Sequence, residues 1–363
     1  MKIQKLIEAT SEITDPRRRY GNLRHKLTDI LVIGLCTILC KGEDFTDMED
    51  FGNEREAWLK TFLELPNGIP DSDTFRRVFE RINPAELSAA LYDWLGMERE
   101  KRGIIAIDGK TICGSGNGEH KAYHVVSAFV AENQITLGEI TVDEKSNEIK
   151  AIPQLLDFID VSGATVTIDA MGCQTEIAAK IAKKKADYCL ALKGNQSNLH
   201  EDVRLYFEKL PAEQLFVTRE KGHGRVEKRE YFLETDINWL PQKSSWKKLN
   251  AIGAVKSTVF EKSETRIETR YFITSLTDVN QFADAVRKHW SIENQLHWQL
   301  DVTFGEDDSR ARKDNSPLNL NVLRKTALVL LKEVDWGRIG LKKKMFIAAL
   351  NPGKLLQVLF AEK

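Results

Sequence analysis

Three acids stand where the surrounding pattern is apolar. Asp108 ends the run Gly-Ile-Ile-Ala-Ile-Asp (103–108), Asp169 ends Thr-Val-Thr-Ile-Asp (165–169), and Glu293 interrupts an apolar helical stripe. Two unit charges about 4 Å apart repel by roughly 4 kcal/mol at an effective dielectric near 20. Carboxylates that converge are therefore stable only if protonated, solvated or bridged by a metal ion. A cation held by oxygen ligands is the chemistry this trio could do, provided the fold brings it together. The bland alternative also stands: Glu293 pairs with an arginine and the two aspartates are ordinary caps.

The elements that must position these acids can be read from periodicity. From Thr28 to Leu95 apolar clusters recur with helical spacing, punctuated by Pro66, Pro70 and Pro84, and Ser72 with Asp73 can cap a segment starting at Thr74. Past Gly103 the pattern turns to strands at 104–108, 122–131, 134–142, 165–169 and 187–192, with helices at 152–159 and 175–184. The first three strands form an antiparallel meander turning at Glu132-Asn133, and the next two alternate with helices as parallel crossovers do. That order outlines an α/β fold with an RNase H-like mixed sheet. If the Asp108 and Asp169 strands are neighbours, both acids share one edge of the sheet.

Residues 216–274 alternate again and read as a β-rich insertion, spanning about 210–278, ahead of a last helix from Gln281 to about Asp301. On that helix Phe282, Val286, His289, Glu293, Leu296 and Leu300 share one stripe. An ionised, unpaired glutamate there should cost several kcal/mol. A further apolar helix follows around 318–331, then the basic run Lys342-Lys343-Lys344. Two domains are expected, a helical one at 1–102 and a catalytic one at 103–363.

With 363 residues, 42% apolar and 29% charged, the chain has ample length for a real core and no sign of global disorder. The five cysteines (Cys36, Cys40, Cys113, Cys173, Cys189) form no zinc-finger spacing and read as free thiols of a reducing cytoplasm. No secretion signal is evident, and the apolar stretch 30–40 is about half what a bilayer span requires, so a buried helix is expected. The net charge of -1 gives no global pull toward nucleic acid, so any contact with phosphates must come from local patches.

Five motifs carry a resemblance: Ala-Ile-Asp-Gly-Lys-Thr (106–111), Thr-Ile-Asp-Ala-Met-Gly (167–172), Ala-Leu-Lys-Gly-Asn-Gln (191–196), Gly-His-Gly-Arg-Val-Glu (222–227) and His-Trp-Ser-Ile-Glu-Asn-Gln-Leu-His-Trp (289–298). Together they resemble the DDE transposases of bacterial insertion sequences, in particular the H-repeat-associated group linked to Rhs elements. The resemblance covers nearly the whole chain and implies an RNase H-like core with a transposase-associated helical domain that binds DNA ends. It further implies Asp108, Asp169 and Glu293 as catalytic triad and ligands of two magnesium or manganese ions, with in-line phosphoryl transfer between them. Double-stranded DNA, as element ends and as target, and a second copy of the chain are the implied partners. The implied setting is the bacterial cytoplasm, on the nucleoid when bound to DNA. One departure is plain. Where the broader group carries Tyr-x2-Arg-x3-Glu-x6-Lys, this chain has Val286, His289, Glu293 and Leu300.

Other residues carry two readings each. Lys110 and Lys193 could touch phosphates or be solvated strand ends. His223, Arg225, Lys228 and Arg229 could grip a DNA backbone, with Trp239 and Trp246 as stacking platforms or core. His289 could contact phosphate in place of the arginine. Arg310, Arg312 and Lys313 could contact DNA or form a charged loop, and Arg17-Arg18-Arg19 reads first as a solvated run. The 114–118 Gly-Ser-Gly-Asn-Gly stretch lacks the lysine of a phosphate loop and reads as a turn. His124 and His297 suit packing better than ligation of a hard metal.

Overall fold

The computed structural model describes residues 2–17, 23–95, 103–116, 121–142, 147–209, 214–222, 225–261 and 264–360. The chain folds into two compact units: Met1–Arg99, Thr111–His124 and Asn294–Lys363 form one, and Glu100–Lys110 with Val125–Glu293 form the other. This grouping differs from a single boundary near residue 102. Its physical reason lies in the tail, whose helices pack among the N-terminal ones.

The helical unit contains α1 (Lys2–Ser11), α2 (Leu27–Leu39), α3 (Phe45–Leu59), α4 (Ser72–Arg81) and α5 (Pro84–Trp94), and from the tail α10 (Ser316–Glu333), α11 (Leu341–Leu350) and α12 (Pro352–Phe360). Twelve of the thirteen residues of α2 are buried, so it is the hub of this unit, and α10 packs on α2, α4, α5 and α12. No helix among the described residues is long and apolar enough to cross a membrane. Asp44 caps α3 through the amides of Thr46 and Asp47 in a reciprocal capping box. Asp71, rather than the expected Ser72 and Asp73, caps α4, its carboxylate accepting from the amide of Thr74 at 2.7 Å.

The other unit is built on one nine-stranded mixed sheet. In chain order its strands are β1 (Ile104–Thr111), β2 (His124–Val130), β3 (Ile135–Val142), β4 (Thr165–Ile168), β5 (Asp187–Leu192), β6 (Gln214–Gly222), β7 (Arg225–Glu234), β8 (Ala251–Glu261) and β9 (Glu264–Thr274), arranged 3-2-1-4-5-9-8-7-6. The β2–β3 turn runs through Glu132 and Asn133 and closes with the Gln134 amide on the Val130 carbonyl at 2.8 Å. Parallel pairing of β1, β4 and β5 uses crossovers through α6 (Glu148–Phe158) and α7 (Thr175–Lys183). The β-rich insertion is no separate module. Antiparallel pairing of β9 with β5 covers what would otherwise be the open edge of the first five strands and extends the same sheet through β8, β7 and β6.

Helix α8 (Ser197–Lys209) follows β5, and α9 (Val279–His289) packs Phe282 and Val286 against Tyr231, Val255 and Phe272. Close packing of α9 needs Gly253. A Cβ there would lie 2.4 Å from the Phe282 ring.

Candidate active site

Strand register does most of the positioning. Ile107 of β1 sits beside Ile168 of β4, so Asp108 and Asp169, each one step further, stand at the same level of neighbouring strands. Adjacent strands lie about 4.8 Å apart. Side chains two apart share a face, and Ala106 pairs with Thr167, so both acids project on the face that carries Thr167. That face meets α9: Thr167 Oγ1 and His289 Nδ1 share a 3.0 Å hydrogen bond. Glu293 follows His289 by four residues.

The last helix is not the straight α-helix expected over 281–301. Helix α9 ends at His289, and the chain continues in wider π-type turns over Ile292–His297 and Gln299–Thr303. Such turns are frequent at functional sites. The change of pitch alters which residue is buried: Ile292 is 0% exposed and takes the inward place, while Glu293 is exposed. The expectation that Glu293 lies in the buried stripe is corrected accordingly, and no large burial cost attaches to it.

Electrostatics couple the acids. Burial pushes the Asp108 carboxyl up to about 7, against a hydrogen bond from its Gly109 neighbour, and the charges of Asp169 and Glu293 push in the same direction. Partial loss of solvent raises Glu293, which Arg270 opposes and Asp169 reinforces. Asp169 accepts from the amides of Met171 at 3.0 Å and Gly172 at 3.4 Å, which fixes its carboxylate at the head of the turn after β4. Among the described residues no three His, Cys, Asp or Glu side chains stand close enough together to hold a metal ion. As a donor set, though, three coupled carboxylates with oxygen ligands only fit a hard divalent cation.

A cavity of about 200 Å³ opens beside Asp169 and Glu293, with Lys193, Arg270, His289 and Trp290 in its wall. Lys193 lies one step past the last pair of β5 and β9, at the level of Arg270. Arg270 is held in two ways: its guanidinium lies 4.7 Å over the Trp290 ring, and its Nε donates to Glu268 at 2.8 Å. Burial pulls the His289 imidazole down to about 4, so at neutral pH it is uncharged and lacks the charge an arginine would bring. Of the other signature positions, Val286 lines this cavity and Leu300 is fully buried. Arg270, Trp290 and Thr167 were not readable as site residues. Alternation does put Arg270 on the face of Phe272, but only the β5–β9 register shows which strand end it meets.

The remaining candidates scatter. Lys110 is half-buried at the end of β1. Lys228 pairs with Glu230 at 2.7 Å, and Arg229 with Glu227 at 2.6 Å and Glu220 at 3.2 Å. Arg225 is exposed, and His223 lies outside the described residues, as do Arg18, Arg19 and residues 117–118. Trp246 is core, and Trp239 stacks on Tyr206 at 5.1 Å. Arg310, Arg312 and Lys313 belong to the helical unit, where they line a cavity of about 670 Å³. Arg312 donates to the Gly114 carbonyl at 3.0 Å and Lys313 pairs with Glu80 at 3.0 Å. His124 Nδ1 shares a 2.9 Å hydrogen bond with Thr111 Oγ1, a packing role. All five cysteines are free.

Comparison with known proteins gives the family. The profile described as "Transposase DDE domain" matches residues 99–330, and one described as "DDE_Tnp_1-associated" matches 7–95. "Putative transposase YncI" of Escherichia coli O157:H7 is 40% identical over 99% of this chain and 95% of its own. "H repeat-associated putative transposase YhhI" of Escherichia coli K12 is 37% identical over 99% and 98%. Among solved structures, the piggyBac transposase synaptic complex with hairpin DNA aligns with 98% of this chain and 79% of that one at TM-score 0.38 and 9% identity, too loose a superposition to assign a fold. The profile matches and the two full-length relatives place this chain in the DDE transposase family, among its H repeat-associated members.

Proposed function

We propose that the chain cuts the ends of its element and joins them to target DNA by metal-dependent phosphoryl transfer, with Asp108, Asp169 and Glu293 as the catalytic acids. The observation that carries this reading is the register. It sets Asp108 and Asp169 level on neighbouring strands, on the face that the Thr167–His289 hydrogen bond ties to the helix leading to Glu293. The sheet order, with three strands in meander and two parallel crossovers, supports an RNase H-like core.

The three carboxylates would hold magnesium or manganese, two ions by the family's logic, which when bound supply positive charge to a phosphodiester under attack. Around them the chain's own residues position the strand. Lys193 and Arg270 offer cations to non-bridging phosphate oxygens, and neutral His289 holds the helix to β4 through Thr167. In the first step water displaces the DNA 3'-oxygen from phosphorus, leaving a 3'-hydroxyl and a 5'-phosphate. In the second that hydroxyl displaces a 3'-oxygen of the target. Two ends must be brought together, so the working form is at least a dimer.

A second reading is a DNA-binding descendant without catalysis, favoured by the departures from the wider group's signature at Val286, His289 and Leu300. A third, a nuclease that cuts but does not join, shares the core. Labelled terminal-repeat DNA with magnesium separates them. Wild type should nick and join, and Asp108→Ala, Asp169→Ala and Glu293→Ala should each fall about a thousandfold or more, as loss of several kcal/mol of charge stabilisation requires. Equal activity in all four proteins removes the triad assignment. Salt-sensitive binding without nicking supports the silent descendant, and nicking without joining the nuclease.

A further inference from the structure

The outer part of the β6–β9 sheet has two chemically different faces, which strand register separates without ambiguity. Every pair from Gly222–Arg225 back along β6–β7, and from Glu261 through β8 to β9, follows one unbroken register, so partners across strands share a face. One face carries Arg219, Lys221, Lys228 and Lys256 with a single acid, Glu230. The other carries Arg225, Arg229, Arg266 and Arg270 with five acids: Glu220, Glu227, Glu261, Glu264 and Glu268.

Ion pairing sharpens the difference. On the mixed face three of the four arginines are engaged, Arg229 with Glu220 and Glu227, Arg266 with Glu264, and Arg270 with Glu268. On the basic face only Lys228 has its acid, Glu230, while Arg219, Lys221 and Lys256 pair with none among the described residues. Four large apolar side chains lie between these cations on the same face: Val217, Val226, Phe260 and Ile267, the last 61% exposed. Toward the sheet's base, α8 covers the face through His200 and Phe207 on Tyr271, and the outer part stays open.

We propose that this open basic face is a docking surface for duplex DNA, gripping the phosphate backbone through Arg219, Lys221 and Lys256 with the interleaved apolar side chains against sugars and base edges. A duplex offers an uninterrupted line of anions, one charge per about 1.7 Å of axis, which unpaired cations at alternate strand positions can neutralise with release of counterions. A second copy of this chain is the weaker partner, because four of the five acids of its mixed face are already engaged with that face's own arginines. Register also divides the basic cluster of the 225–229 segment. Lys228 belongs to the docking face, whereas Arg225 and Arg229 point the other way.

The proposal rests on the transposase reading, and its test separates the two. Binding of a random-sequence duplex is titrated against potassium chloride, and nicking of terminal-repeat DNA is measured on the same proteins. The Lys221→Gln/Lys256→Gln double variant should bind more weakly at every salt concentration, and its slope of log affinity against log salt should shrink by about 2, one per lost phosphate contact. The Arg266→Gln control on the mixed face, where Arg266 is paired with Glu264, should leave the slope as in wild type. An unchanged slope in the double variant, with wild-type nicking intact, overturns the docking face and leaves the transposase reading standing. A slope that falls as described in a protein that never nicks upholds the face and overturns the catalytic reading. If Phe260→Ser/Ile267→Ser instead turns a dimer into a monomer at unchanged salt slope, the occupant is a second copy and the proposal fails.

Discussion

Glu80 in the helical unit and Asp108 in the sheet unit are both acids withdrawn from solvent, and their neighbourhoods are opposite. Glu80, 3% exposed, has Arg76 at 2.7 Å and Lys313 at 3.0 Å. Burial works against its charge, yet hydrogen bonds from Lys313 and Arg76 outweigh that and hold its carboxyl below the usual range. At Asp108 burial drives the carboxyl up to about 7, and the charges of Asp169, Glu293 and Glu148 add to it. The same unit as Glu80 also holds Glu306, fully buried, with Asn321 at 2.7 Å and Arg324 at 3.7 Å. The fold supplies its structural acids with partners of its own. At Asp108 the neighbouring charges add to burial instead of offsetting it, and perturbed groups of this kind mark functional sites.

Substitutions should separate the two neighbourhoods, and the largest effect on stability belongs to the helical unit. Arg324→Leu removes the cation beside the buried Glu306, so unfolding free energy in urea should drop by about 3–5 kcal/mol. A loss below about 1 kcal/mol would show that the pair does not hold this unit together.

Next in size is the reverse behaviour at Asp108. Its folded pKa lies above its unfolded value, so the folded state binds the extra proton between about pH 4 and 7, and the metal-free protein should lose stability as pH rises through that window, by up to about 1.4 kcal/mol per unit. In Asp108→Asn this component should vanish, and melting temperature measured against pH should be flatter than in wild type. An identical slope in both proteins would mean that the carboxyl is not strained.

Smallest is the effect of Arg270→Gln, which removes the positive charge opposing protonation of Glu293. The acid limb of the nicking profile should move to higher pH by a fraction of a unit, with Arg270→Lys restoring part of the shift. An unmoved limb would limit Arg270 to its packing on Trp290.

How much of this was legible in the sequence follows from what each signal depends on. Strands 104–108, 165–169 and 187–192 were readable because apolar runs that end in a polar residue mark buried strands, and the β2–β3 turn because Glu132-Asn133 breaks two of them. The two aspartates were readable for the same reason, since they end such runs. Glu293 was found by its motif, but its exposure was not foreseen. A π-type turn leaves the composition of a helix unchanged, and where it starts Ile292 rather than Glu293 faces inward, while Leu296 and Leu300 stay buried. Arg270 stayed invisible because its role depends on β9 pairing with β5, a contact between distant segments that local alternation cannot specify. The tail's membership of the helical unit is likewise a matter of long-range packing, legible only once α10 is seen against α2, α4 and α5.

Asp108, Asp169 and Glu293 are proposed to act together in holding divalent metal. Manganese binding to the intact protein without DNA, followed by electron paramagnetic resonance and calorimetry, tests it most directly. Wild type should bind manganese near neutral pH with release of a proton, since the ion displaces the one that Asp108 otherwise holds, and Asp108→Asn, Asp169→Asn and Glu293→Gln should each weaken binding at least tenfold, about 1.4 kcal/mol. Manganese bound equally by all four proteins would contradict the account.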